Sequence, residues 1–172
     1  MRSRLLVTAF ALAVTGVVAS CDDEITGIDE NFEENATWEA TLNGANERPN
    51  PTTTSATGRA LFIDNGSTVT YFIEYSGLNA NTSNAHIHRG TAEQAGGVLI
   101  QLPFVAGQTS GSVIGTIDMT AADVSSAEAG NQSPADLRAL FNSGGVYVNI
   151  HSAPQPPGYT AGEIRGQIRP VE

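Results

Sequence analysis

Leu61-Phe62-Ile63-Asp64-Asn65-Gly66-Ser67-Thr68-Val69-Thr70-Tyr71-Phe72-Ile73-Glu74-Tyr75 is the stretch that decides the fold. Val69, Tyr71, Ile73 and Tyr75 recur at every second position, which is the period of a strand and not the 3.6 of a helix. Between this run and Leu61 and Ile63 lies Asp64-Asn65-Gly66-Ser67, a cluster of residues that tolerate positive φ and close tight turns. The reading is a β-hairpin over 57–77. Working outward, Trp38, Ala40 and Leu42 alternate with polar neighbours, and further strands are expected at 84–88, 97–103, 111–119, 145–152 and 162–170. One helix interrupts them near 134–142: Ser133 caps it, Pro134 takes the first turn and Gly144-Gly145 ends it. Leu137, Leu140 and Phe141 form its apolar stripe. About eight short strands with Gly/Pro-rich turns and one short helix predict an all-β domain over 37–172, an antiparallel β-sandwich of Ig-like/Greek-key type.

Composition agrees with one such domain. The chain has 172 residues, 40% of them hydrophobic and 15% charged, enough apolar material for a core and too much for wholesale disorder. Its cations are 8 arginines and no lysine against 18 acids, a net charge of -10 that argues against nucleic acid as a partner. A single cysteine excludes a disulfide framework and a multi-cysteine zinc site within one chain.

That cysteine has a distinctive setting. Met1-Arg2-Ser3-Arg4 is a basic start, and Leu5 to Val18 is an apolar run too short to span a bilayer but suited to a secretory signal. It ends in Val18-Ala19-Ser20-Cys21, which resembles the lipobox of bacterial lipoprotein signals. The resemblance implies a signal peptide over 1–20, acylation of Cys21 (palmitate among the chains), and attachment to a membrane through that lipid anchor. The expected location is the bacterial cell envelope on the extracytoplasmic side. Each buried methylene contributes about 0.8 kcal/mol, so several acyl chains anchor firmly. Residues 21–36 then read as an acidic tether, with Asp22, Asp23, Glu24, Asp29, Glu30, Glu33 and Glu34 in close succession.

The chain's three histidines, His86, His88 and His151, fall on strand patterns. His86 and His88 are two apart and share a face, while Ala85 and Ile87 point the other way. In Val146-Tyr147-Val148-Asn149-Ile150-His151 the apolar positions take the core and leave Tyr147, Asn149 and His151 on the polar side. Glu163-Ile164-Arg165-Gly166-Gln167-Ile168 repeats the pattern, with Glu163, Arg165 and Gln167 outward. Antiparallel pairing of these last two strands would bring Glu163 near His151 and Arg165 near Asn149. A carboxylate beside a histidine is a common way to orient an imidazole at a metal site.

Ala85-His86-Ile87-His88-Arg89-Gly90, then Val146 to Ser152, then Gly162 to Ile168, resemble the chordin-type (CHRD) domain. Ala40-Thr41-Leu42-Asn43-Gly44-Ala45-Asn46-Glu47-Arg48-Pro49 and Ala56-Thr57-Gly58 are similar to it as well, in matching order over about 37–170. The resemblance implies an all-β extracellular domain. It supplies no catalytic residues, and partners of chordins do not transfer with the fold.

Two functional expectations from different classes follow. The first is a mononuclear copper or zinc site with His86, His88 and His151 as ligands and Asn149, Glu163 and Arg165 behind them. A hydrogen-bonded network that only holds the sheet together would have the same sequence pattern. The second is a surface module that binds an envelope protein or glycan through the loop 153–161, with Pro156, Pro157 and Tyr159 as contacts. An enzyme is not expected. The serines lack a Gly-x-Ser-x-Gly turn, and three histidines are too few for a two-metal site of superoxide dismutase type.

Overall fold

The computed structural model describes residues 30–119, 133–153 and 158–172. Cys21, the acidic residues before Glu30, and Pro156 and Pro157 lie outside the described residues. Among the described residues no helix is long and apolar enough to cross a membrane.

The expected hairpin is present. Strands β1 (Trp38–Asn43), β2 (Thr57–Asp64) and β3 (Thr68–Ser76) run antiparallel, with Phe62 opposite Tyr71 and Ala60 opposite Ile73 across β2–β3. The turn closes as its residues require: Asp64 Oδ1 accepts the Gly66 amide at 2.9 Å, and Gly66 has φ 87°. Ala60, Phe62, Val69, Tyr71, Ile73 and Tyr75 all enter the core. Leu61 and Phe72 are also buried, on the opposite face. There the short helix α1 (Glu30–Asn35), which falls within the acidic segment, places Phe32 5.9 Å from Phe72 and Glu33 2.7 Å from Arg59.

The remaining strands are β4 (Thr82–Arg89), β5 (Val98–Gln101), β6 (Gly111–Asp118), β7 (Val146–Ser152), β8 (Ile164–Gln167) and the two-residue β9 (Arg169–Pro170). The fold is mostly β and antiparallel, as expected, but the strands do not form two separate sheets of an Ig-like/Greek-key sandwich. They join in one sheet of order β5-β4-β7-β8-β1-β2-β3-β6, with β9 pairing beside β8 on β1. The seam between β8 and β1 is a single paired position, Asn43 opposite Arg165. The two four-stranded halves curl about this seam, because Ile87, Leu99, Val148 and Ile150 of one half share a core cluster with Trp38, Phe62 and Ile117 of the other. Burial of both apolar faces against each other drives the curl.

The expected helix is α2 (Pro134–Ser143). Ser133 and Asp136 form a reciprocal capping box, and Gly144, at φ 66°, ends the helix in the left-handed region. Leu137 and Phe141 are fully buried and Leu140 packs beside them. The Phe141 ring meets Trp38 and Phe62 edge-on, at 5.1 and 5.7 Å. On the helix's other flank Arg138 binds both oxygens of Asp64, Nε to Oδ2 at 2.6 Å and Nη2 to Oδ1 at 2.9 Å. The helix therefore plugs one end of the core and leaves the β4–β7–β8 surface open for polar residues.

Candidate metal centre

β7 lies between β4 and β8, and its register places the functional side chains. Asn84 faces His151, His86 faces Asn149 and His88 faces Tyr147 across β4–β7. Asn149 faces Arg165 and Tyr147 faces Gln167 across β7–β8. The apolar partners turn away as the two-residue period demands: Ala85, Ile87, Val146, Val148, Ile150 and Ile164 are all in the core. Three imidazoles from two strands thus meet on one face.

They meet closely. One nitrogen from each of His86, His88 and His151 lies within 4.8 Å of the others. His86 Nδ1 is 3.0 Å from His151 Nε2, and the three ring centroids are 4.9 to 5.9 Å apart. His86 and His151 are each 7% exposed, so water screens the group poorly.

The second nitrogen of each ring is held from behind. His88 Nδ1 donates to the Gly96 carbonyl at 3.0 Å, and His151 Nδ1 donates to the Thr160 carbonyl at 2.9 Å. His86 hydrogen-bonds to the side chain of Gln101, its neighbour on β5. Donation through Nδ1 fixes the tautomer of His88 and His151; His88 Nε2 carries a free lone pair forward, and His151 Nε2 accepts from His86 Nδ1 at 3.0 Å. His88 Nε2 is buried and has no hydrogen-bond partner among the described residues. Gly96 must be glycine for this arrangement, since a Cβ there would run into the Arg89 carbonyl.

Burial holds all three imidazoles below the ordinary histidine range. It is the largest influence on each, and His88 is pulled down to about 4. The backbone bonds from Gly96 and Thr160 oppose the shift without cancelling it. Neutral imidazole is the form that binds a transition metal. Three neutral nitrogens at this spacing, with the far nitrogens anchored, fit a three-histidine centre with an open fourth position.

Around the histidines lies a second buried layer. Tyr147 stacks on His88, with centroids 5.0 Å apart and planes 8° apart, and Arg165 Cζ sits 3.4 Å from the Tyr147 centroid. Arg165 Nη2 donates to the carbonyls of Thr91 and Gln94, the latter at 3.1 Å. Asn149 Nδ2 donates to Glu47 Oε1 at 2.8 Å. Glu47 is 4% exposed, and burial pushes its carboxyl up to about 7 against the lowering influence of Asn149 and Arg165.

Arg165 and Asn149 therefore lie where the strand pairing put them. Glu163, fully buried, is occupied elsewhere. Its carboxylate accepts from Thr54 Oγ1 at 2.6 Å, from the Asn79 amide at 2.7 Å, and from Ser152 Oγ. The Thr160 carbonyl stands behind His151 where a carboxylate was expected. Tyr159 is half-buried and lines a cleft of about 310 Å³ with Glu47, Pro49 and Pro51. Sequence reasoning missed Glu47, Gln101, Gly96 and Thr160 as site residues. Glu47 stood within a quoted motif, but a backbone carbonyl carries no residue signature at all.

A family model described as the CHRD domain matches residues 38–168, from the first residue of β1 to the residue after β8. All three histidines fall inside the match. No protein in a search of curated proteins matches the chain.

Proposed function

The chain belongs to the CHRD domain family, and from that premise we propose that it is a non-enzymatic binding module of the cell envelope whose site is a mononuclear copper or zinc centre formed by His86, His88 and His151. The observation that carries the reading is the buried Nε2 of His88, which lacks a hydrogen-bond partner among the described residues while its Nδ1 is fixed by Gly96. A histidine kept only to brace the sheet would satisfy both nitrogens, because an unmade buried hydrogen bond costs about 1–3 kcal/mol. Here the unsatisfied lone pair belongs to the imidazole cluster, the one place where a cation would use it. The ligand set of three imidazoles suits copper and zinc and disfavours calcium and magnesium, which take oxygen.

The rest of the proposal is positional. Cys21, in a segment resembling a lipobox, carries the lipid, and the acidic tether holds the domain away from the bilayer on the extracytoplasmic side. The test is a titration of the metal-free protein with copper and with zinc at neutral pH, wild type beside His88→Ala, followed by calorimetry and thermal denaturation. One equivalent bound with a raised Tm in wild type, and neither in the variant, is expected. Equal weak binding by both proteins would overturn the metal site. Labelling with palmitate, compared between wild type and Cys21→Ser, tests the anchor separately.

A further inference from the structure

The domain carries a second polar cleft, on the β1–β8–β9 side, that the metal centre does not use. Its volume is about 380 Å³, and Arg48, Arg165, Arg169, Glu39, Glu93 and Gln167 are among its lining residues. Three of the six arginines beyond residue 20 therefore converge on one depression in a chain of net charge -10. Arg59 and Arg138 are neutralised in ion pairs at 2.7 and 2.6 Å. Arg165 and Arg169 form no ion pair among the described residues, and Arg48 reaches Glu93 only at 3.7 Å. Arg165 is 1% exposed, and its Nη1 is buried with no hydrogen-bond partner among the described residues. A guanidinium left in this state is expensive unless an anion completes it.

We propose that this cleft binds the carboxylate of a sugar acid, a hexuronate unit such as those of acidic polysaccharides, with Arg165 and Arg169 as the anion contacts. Charge selects the class. Three guanidinium groups against Glu93 and Glu39, the latter also reached by Arg59 at 3.8 Å, leave a net positive cleft that favours an anion. Guanidinium forks recognise planar carboxylates through paired N–H donors. The two glutamates accept hydrogen bonds, as hydroxyl groups of a sugar ring require. The cleft has room for one such ring, and its apolar lining is limited to the small side chains Ala40 and Ala92. Side chains of an amino acid or peptide would find little to pack against there. This site shares Arg165 with the layer behind the imidazoles, through its contact with Tyr147, but does not require a bound metal.

The experiment is an NMR titration of the full chain, in chelator and low salt, with glucuronate, with glucose as the neutral control and glycine as the zwitterionic one. Saturable shifts at Ala92 and Glu93 are expected with glucuronate, and none with glucose or glycine. Arg165→Lys should abolish them. Because that buried substitution can unfold the domain, Arg169→Gln at an exposed position is the second variant, expected to weaken binding about tenfold with the fold intact. Absence of glucuronate shifts, equal shifts with glucose or glycine, or unchanged affinity in Arg169→Gln would each overturn the proposal. The titration in chelator reads glucuronate binding with no metal bound, so failure of the metal reading and failure of the sugar-acid site are seen separately.

Discussion

Tyr147 lies between His88 and Arg165 and touches both, its ring parallel to the imidazole to within 8° and 3.4 Å from the guanidinium carbon. The geometry follows from strand order, since β4 flanks β7 on one side and β8 flanks it on the other. His88 is thus fixed by two agents, the Gly96 carbonyl at Nδ1 and the phenol ring on its face. Tyr147→Phe keeps the ring and loses the hydroxyl, which accepts from the Gly96 amide at 3.3 Å and donates to the Gly96 carbonyl at 3.4 Å. It should retain metal binding and stability within about 1 kcal/mol. Tyr147→Ala should lower stability by about 3–5 kcal/mol and weaken metal binding about 10–100-fold by releasing the ligand. Denaturant melts and metal titrations of the two variants check this; equal affinity in Tyr147→Ala would show that the stack does not position His88.

The depressed histidine values set one pH dependence. Each imidazole has a folded pKa below its unfolded value of 6.5. In the window below 6.5 the unfolded chain takes up protons that the folded chain refuses, so stability falls as pH drops. For His88 the loss levels off near pH 4 and amounts to at most about 3 kcal/mol. Because Glu47 acts in the opposite sense over part of this window, the check is a difference: the Tm of metal-free wild type relative to His88→Phe should fall from pH 6.5 to pH 4. A wild-type slope that survives unchanged in the variant would assign it to other groups.

Glu47 works in the opposite direction. Its carboxyl is raised from 4.5 to about 7, so the folded state prefers the protonated form. Between those values stability is lost as pH rises, because the folded chain holds a proton that the unfolded chain has released. Glu47→Gln keeps an oxygen to accept from Asn149 Nδ2 and removes the charge. It should leave stability near pH 4 unchanged and raise it at pH 8, by up to about 3 kcal/mol. Paired thermal melts at the two pH values decide, and equal Tm differences at both would count against the raised carboxyl.

Glu163 should behave as a structural clamp. Its carboxylate joins Thr54 of the loop before β2, Asn79 of the loop before β4, and Ser152 at the end of β7. Removing it leaves three donors without an acceptor in a fully buried place. Glu163→Ala is expected to destabilise by about 3–5 kcal/mol, or roughly 10 °C in Tm. Metal affinity of the fraction that remains folded should not change. A large affinity loss with an unchanged Tm would instead put Glu163 at the imidazoles.

Much of the site was legible because the strand period is exact in the relevant residues. His86 and His88 flank the core residue Ile87, and His151 follows Val146, Val148 and Ile150, so the facing of all three came from alternation alone. Register gave Asn149 opposite Arg165 for the same reason. Glu163 fell outside this logic: β8 begins at Ile164, and one residue before a strand the side chain is directed by loop partners. The single sheet was also hidden. Whether β1 and β8 belong to one sheet or two rests on one paired position, Asn43 with Arg165, which no periodicity announces. Phe72 illustrates a third limit, since an apolar residue on the outer face makes sense only once Phe32 of α1 lies against it.

The imidazoles are bolted to strands, yet two of them are aimed by loop carbonyls at Gly96 and Thr160. Ligand identity and ligand posture are therefore written in different parts of the chain. An engineer could exchange either loop and retune the centre's geometry without touching a histidine. Conversely, a comparison restricted to the three histidines would rank two such domains as equivalent when their centres differ.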